Sequence, residues 1–173
     1  MINFRTFAQN CCKMNGNIVK EVFDLLLMRG MTFASAESCT GGNIAHQITL
    51  IAGSSNVFTG TAVTYATPMK TKVLGVPATT IETPTVVSRE VVEDMATGVR
   101  NLMEADFGVA TTGVAGPGGG SEQSPVGTVW IGVASPNGVT SRCFHFDGDR
   151  QSVIEQATFA AYEMLREAII DII

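Results

Sequence analysis

One serine, one lysine and two glycine-rich turns carry most of the chemistry that this 173-residue sequence offers. Ser38 lies in Ala36-Glu37-Ser38-Cys39-Thr40-Gly41-Gly42, a small polar turn before a run with isoleucines at 44, 48 and 51. Turns of this kind between a strand and a helix are where α/β proteins place ligands and nucleophiles. The first amides of the helix lack partners within it and carry partial positive charge, so they can hold an oxyanion or a phosphate. A hydroxyl at such a turn is most often a helix cap, and to act as a nucleophile it needs a base. Histidine is a poor candidate: His46 falls within the second helical run, and His145 stands between Phe144 and Phe146 on the opposite strand face. Neither has a partner at metal-ligand spacing, so no metal and no cofactor are expected. A Ser–Lys pair remains, and it requires an amine desolvated enough to give up its proton and accept the serine's. Lys70, beside a strand-to-helix turn, is better placed for this than Lys13, Lys20 or Lys72.

The second glycine-rich stretch, Gly113-Val114-Ala115-Gly116-Pro117-Gly118-Gly119-Gly120, invites a nucleotide reading and fits neither common form of it. A P-loop begun at Gly113 has Gly118 in register but carries Gly119 where lysine belongs. A dinucleotide fingerprint begun at Gly116 carries Ser121 where glycine belongs. Exposed amides after a strand can still wrap a phosphate or a ribose, which makes Thr112, Gly113, Gly116 and Gly118 candidate substrate-binding positions. The competing reading is a plain turn that lets backbone pack on backbone.

The elements that must position these groups follow from periodicity. Ile18, Val22, Leu25, Leu26 and Met28 predict a helix from Asn17, stopped at Arg29-Gly30. Met31 to Ala36 reads as a short strand, and Gly41 to Ile51 as a helix closed by Gly53-Ser54-Ser55. Thr61 to Ala66 is β-branched and aromatic, hence a strand, with a short helix from Pro68 to Leu74-Gly75. Val76 to Val87 reads as an irregular connection; Ser88 then caps a helix running to about Ala105. Phe107 to Thr112 is a buried-type strand, and Val126 to Ala134 and Val139 to Phe146 form a hairpin about Pro136-Asn137-Gly138. Asp147-Gly148-Asp149 opens a final amphipathic helix from Arg150 to Ile170. Strands alternating with helices and ending in a hairpin predict an α/β fold: a three-layer α/β/α sandwich with a mostly parallel mixed sheet of about five strands, one of them antiparallel. One domain over residues 17–173, led by a tail over 1–16, accommodates every element.

Bulk properties narrow the partners. A net charge of −5, with the eleven Lys and Arg scattered, argues against a nucleic-acid groove. No stretch approaches the length of a membrane span, and no basic region precedes an apolar one at the N-terminus. Cys11, Cys12, Cys39 and Cys143 form no C-x-x-C pair, so reduced thiols and a cytoplasmic location are expected. The apolar ending Ala168-Ile169-Ile170-Asp171-Ile172-Ile173 suggests cover by a second copy, hence a homo-oligomer.

Six blocks in order resemble the C-terminal domain of the CinA (competence/damage-inducible) family. They are Ala36 to Gly42, Gly53-Ser54-Ser55, Val63-Thr64-Tyr65 with Lys70, Thr112 to Gly119, Pro125 to Val129, and Gly148-Asp149-Arg150. The resemblance runs from about Asn17 to the end; longer members of the family carry a further N-terminal domain. It implies a Ser/Lys amidohydrolase that converts nicotinamide mononucleotide to nicotinate mononucleotide and ammonia. Carried over by position, Ser38 is the nucleophile, Lys70 its general base, and Tyr65 supports the pair or the substrate. Arg150 contacts the substrate, where it could pair with the phosphate, or aids catalysis. The amides of Cys39 and Thr40, with Gly41 beside them, are expected to hold the oxyanion. Two departures stand out: Thr67-Pro68-Met69 leads into the lysine where members usually have an Asn-Glu-Ala type, and Thr85-Val86-Val87-Ser88 replaces Gly-Ala-Val-Ser. Family relatives without deamidase activity leave a second reading, a nucleotide-binding or adaptor module that keeps the pocket without turnover.

Overall fold

The structure, a computed structural model, describes residues 18–82 and 85–172. Its sheet holds β1 (Phe33–Glu37), β2 (Phe58–Val63), β3 (Phe107–Gly113), β4 (Thr128–Ser135) and β5 (Gly138–His145), in the order β2-β1-β3-β4-β5. β1 pairs parallel with both β2 and β3, while β4 runs antiparallel to β3 and to β5. Only β4 is therefore reversed, as expected of a mostly parallel mixed sheet. The chain leaves β1 for β2 on one side and later returns to β3 on the other. That reversal makes the carboxyl ends of β1 and β3 a switch point, the place where open α/β sheets leave a crevice.

Strand alternation sorts the side chains into two cores. Phe33, Phe107, Val109, Val129, Ile131 and Val133 point to one face, under α1 (18–29), α2 (Asn43–Thr49) and α6 (Arg150–Ile170). Burying a phenylalanine or isoleucine side chain there is worth about 1.5–3 kcal/mol. The other face is nearly all alanine: Ala34, Ala36, Ala62, Ala110 and Ala134 lie against α5 (Arg89–Leu102), with Leu74 of α3 (Thr67–Leu74) in the same cluster. Small residues let α5 press close. A Cβ on Gly108 would stand 2.1 Å from the Ala96 carbonyl oxygen, and one on Gly98 would stand 2.2 Å from that of Leu74. The large-residue face and the small-residue face, each roofed by helices, make the three layers.

Several boundaries differ from the sequence expectation. β2 begins at Phe58 and ends at Val63, three residues before the expected Thr61 to Ala66. β-branched composition marked the segment correctly, but pairing stops where the Thr64 carbonyl turns away to accept from Lys70. A five-residue helix, α4 (Ala78–Glu82), interrupts the connection expected to be irregular. α1 buries Ile18, Val19, Val22, Phe23 and Leu26, whereas Met28 projects into solvent at 75% exposure. At the far end of the chain Ile169 is fully buried in the chain's own core, with Ala168 and Ile172 packed against it. Ser88 does cap α5, accepting from the Val91 amide, and Gly75 ends α3 in the left-handed conformation. The expected tail over 1–16 and the Cys11–Cys12 pair lie outside the described residues.

Candidate active site

Lys70 and Ser38 meet at the switch point. Ser38 follows β1 directly, and α3 brings Lys70 over the alanine face, so that Lys70 Nζ lies 3.0 Å from Ser38 Oγ and 2.7 Å from the carbonyl oxygen of Thr64. Lys70 is 1% exposed, and none of the ion pairs among the described residues includes it. Burial lowers its pKa from the ordinary lysine value, because a desolvated ammonium is costly. Cys39, beside it, is a protonated thiol at physiological pH: burial pushes its pKa up to about 11, so it supplies no negative charge to oppose the effect. Lys70 Nζ donates to both the Thr64 carbonyl and Ser38 Oγ; once deprotonated, the same amine can keep the Thr64 bond and accept the serine's proton at this distance. That is the arrangement a general base needs.

The turn that carries Ser38 is held by its neighbour. Glu37 is in phase with Phe33, so it points to the α2 face, where it is 0% exposed. Its carboxylate accepts from the amides of Gly42, Ile44 and Ala45 at 2.9, 3.1 and 3.0 Å, and from the Thr40 hydroxyl at 2.7 Å. The α2 N-terminus, expected to bind an anion from the substrate, is thus occupied by a carboxylate from within the chain. The amides of Cys39 and Thr40, expected to hold an oxyanion, are not among the three that Glu37 takes. Gly41 and Gly42, with φ of 62° and 101°, allow the chain to reverse there. On its other side α2 is tied to α6, where the buried Tyr162 hydroxyl donates to the Ile44 carbonyl at 2.6 Å.

A cleft of about 220 Å³ opens over the pair, walled by Ser38, Cys39, Tyr65, Lys70, Thr112, Gly113 and Arg150. These seven of the expected site residues converge; Thr40, Gly41, Gly116 and Gly118 are not in its lining. The Thr40 side chain is buried, bonded to Glu37 and 2.9 Å from the Thr111 hydroxyl, and Gly41 is exposed. The Thr112 hydroxyl donates to the Val86 carbonyl at 2.8 Å, so it fixes the cleft wall instead of offering itself to a ligand. Gly113 is needed for contact: a Cβ there would fall 2.6 Å from the Thr128 carbonyl oxygen. Gly116 enters through its carbonyl, which accepts from Arg150 Nη1 at 2.7 Å, while Arg150 Nη2 donates to the Tyr65 hydroxyl at 2.7 Å. Tyr65, though 59% exposed, lines the cleft and is tied to it through Arg150.

Thr67, Val86, Val87 and Ala115 complete the wall and were not expected among the site residues. The roles of Glu37 and of the Thr64 carbonyl were missed as well. Glu37 left one signal, a charged residue at the last position of a strand otherwise free of charge. His46 and His145 are exposed and absent from the cleft. A larger groove, about 1030 Å³, lies between α1, β5 and α6 and contains none of these groups.

Comparison with known proteins agrees with this architecture. The family described as the CinA C-terminal domain matches residues 15–169. A CinA-like protein of Fervidobacterium nodosum is 46% identical over 149 residues, covering 86% of this chain and 36% of that protein. A putative competence-damage inducible protein of Caldicellulosiruptor saccharolyticus is 43% identical over 157 residues, covering 91% of this chain and 38% of that one. The chain therefore spans little more than a third of the length of these relatives. Among solved structures, a CinA superfamily protein from Klebsiella pneumoniae superposes with a TM-score of 0.87 at 33% identity, covering 91% of this chain and 98% of that one. A competence/damage-inducible protein from Agrobacterium tumefaciens gives 0.84 at 38%, covering 87% and 93%.

Proposed function

The chain belongs to the CinA C-terminal domain family, and from that premise we propose that it is a Ser/Lys amidohydrolase deamidating nicotinamide mononucleotide to nicotinate mononucleotide and ammonia. The observation that carries this reading is the contact between a buried, unpaired lysine amine and a serine hydroxyl at the mouth of a cleft.

The chemistry follows from that contact. Ser38 Oγ attacks the carboxamide carbon as its proton passes to the Lys70 amine. The amides of Cys39 and Thr40 receive the negative charge that develops on oxygen; one preorganised donor of this kind is typically worth about 3–4 kcal/mol of barrier. Lys70, now an ammonium held by the Thr64 carbonyl, gives its proton to the departing nitrogen, and ammonia leaves an ester on Ser38. Water then attacks the ester carbon, Lys70 takes the water's proton and returns it to Ser38, and the carboxylic acid departs. Arg150 is the exposed cation on the cleft wall, suited to the nucleotide's phosphate. No described helix is long and apolar enough to cross a membrane. Assembly into a homo-oligomer belongs to the same proposal, and light scattering of the purified chain tests it.

The test is ammonia release from nicotinamide mononucleotide by the parent, Ser38→Ala and Lys70→Ala. The proposal expects release by the parent and background release by both variants. Binding of the nucleotide by all three, with no release by any, would instead fit the nucleotide-binding or adaptor module.

A further inference from the structure

Glu37 is a buried titratable group that the mechanism above does not use. Among the described residues no ion pair includes it: its carboxyl group is held by three amides at the start of α2 and by the Thr40 hydroxyl, with the Ser35 and Thr61 hydroxyls at 3.2 and 3.4 Å. Its own backbone is fixed as well, since its carbonyl accepts from the Thr64 amide at 3.0 Å and the next amide, Ser38, donates to Thr111 at 3.2 Å. Glu37 thus joins β1 to both β2 and α2. Its main chain sets where Ser38 leaves the sheet, and its side chain draws α2 back onto the strand end, closing the turn over residues 38–42.

We propose that Glu37 is a positioning residue for the nucleophile: by occupying the α2 N-terminus it fixes the Ser38 turn against Lys70 and keeps the Cys39 and Thr40 amides free for the reacting oxygen. A second consequence concerns substrate: the α2 start is closed to its anionic group, which is directed to the Arg150 side of the cleft. The inference rests on the Ser38–Lys70 amidohydrolase reading.

Glu37→Gln preserves size but not pattern. Backbone N–H groups face both carboxylate oxygens, Gly42 and Ile44 on one and Ala45 on the other. Either orientation of the glutamine amide therefore sets its NH₂ against a donor. Displacing the Ser38 turn by about 1 Å should cost on the order of 100-fold in kcat, with KM little changed. Thr40→Val removes one donor to Glu37, and with it the contact to the Thr111 hydroxyl, and should lower kcat fivefold or somewhat more, about the scale of one or two hydrogen bonds.

The experiment compares parent, Glu37→Gln and Thr40→Val, each confirmed folded by circular dichroism, in two assays. The first measures ammonia release from nicotinamide mononucleotide. The second measures sulfonylation by phenylmethanesulfonyl fluoride, followed by intact mass. In it Ser38 Oγ bonds to sulfur, fluoride leaves, and the hydroxyl proton passes to Lys70 and on to buffer. The expected result is a loss of both rates in Glu37→Gln and a smaller loss in Thr40→Val, with KM held. Parental kcat and sulfonylation in folded Glu37→Gln, or in Thr40→Val should the first variant fail to fold, overturn the proposal. A parent that releases no ammonia but is sulfonylated faster than the variants removes the substrate assignment and leaves the positioning role standing. A parent inert in both assays removes both.

Discussion

The amine of Lys70 stands 3.0 Å from the hydroxyl of Ser38, across a sequence separation of 32 residues. The lysine arrives on α3, whose closing turn packs so tightly on α5 that no side chain fits at Gly98. The serine arrives at the end of β1, and a carboxylate at residue 37 holds its turn.

Lys70 ties activity and stability to pH. Its folded pKa is lowered by burial, so the productive neutral amine is populated below the ordinary lysine value of 10.5. At pH below that folded pKa, kcat/KM should rise about tenfold per unit. The stability term has the same direction. Below the folded pKa both states carry the proton and the fold bears a buried ammonium. Above it the folded chain has released a proton that the unfolded chain still holds, so stability increases until pH passes 10.5. Thermal melts of the parent and Lys70→Met between pH 6 and pH 10 check this: the parent's melting temperature should climb relative to the variant's as pH rises. A constant difference would show that the amine does not change charge on folding.

Cys39 lines the same cleft and should not react. With its pKa near 11, about one molecule in a thousand carries the thiolate at pH 8. Iodoacetamide at that pH should modify the exposed Cys143 and spare Cys39, as read by peptide mapping. Cys39→Ala should retain ammonia release, where Ser38→Ala loses it.

Gly98→Ala places a methyl group 2.2 Å from the Leu74 carbonyl oxygen, so α3 or α5 must move. Overpacking of this kind costs about 1–3 kcal/mol, to be read from urea unfolding. Because α3 carries Lys70, kcat should fall as well, by more than a comparable destabilisation elsewhere would cause. Val133→Ala, a truncation at a buried position (1% exposed) away from the cleft, is a suitable control.

Arg150 holds the Gly116 carbonyl with one nitrogen and the Tyr65 hydroxyl with another. Arg150→Ala should raise KM for the nucleotide tenfold or more, about the value of a charge-assisted contact to phosphate. Arg150→Lys should recover only part, because a point charge cannot span both partners. Tyr65→Phe removes one of Arg150's acceptors and should change KM more than kcat. A selective loss of kcat would instead place Tyr65 at the reacting atoms.

Much of the fold was legible because its causes are local. Large residues alternate along β3 and β4, glycine punctuates Gly30 and Gly75, and a serine and an aspartate cap α5 and α6 within three residues of the amides they bind. The errors were local too: β-branched composition marked β2 but could not show that a carbonyl at Thr64 would leave the ladder for a lysine. Within the site, Ser38, Lys70 and Arg150 were legible as reactive types in suggestive turns. Glu37 and the Val86–Val87 wall were not, since nothing in a single glutamate or valine tells which donors or surfaces will surround it.

The sequence by itself determined the two glycine turns, the alternation that splits one core into a large-residue and a small-residue face, and the succession of strands and helices. Those are effects of neighbours a few positions apart. Only the tertiary structure decided that Lys70 is dry and against Ser38, that the α2 start is filled by Glu37, and that Arg150 reaches Tyr65 across 85 residues. A pKa, an occupied helix end and a shared hydrogen bond depend on what lies within a few ångströms. That distance is set when β1, β2 and β3 align side by side, after every local preference has already been met.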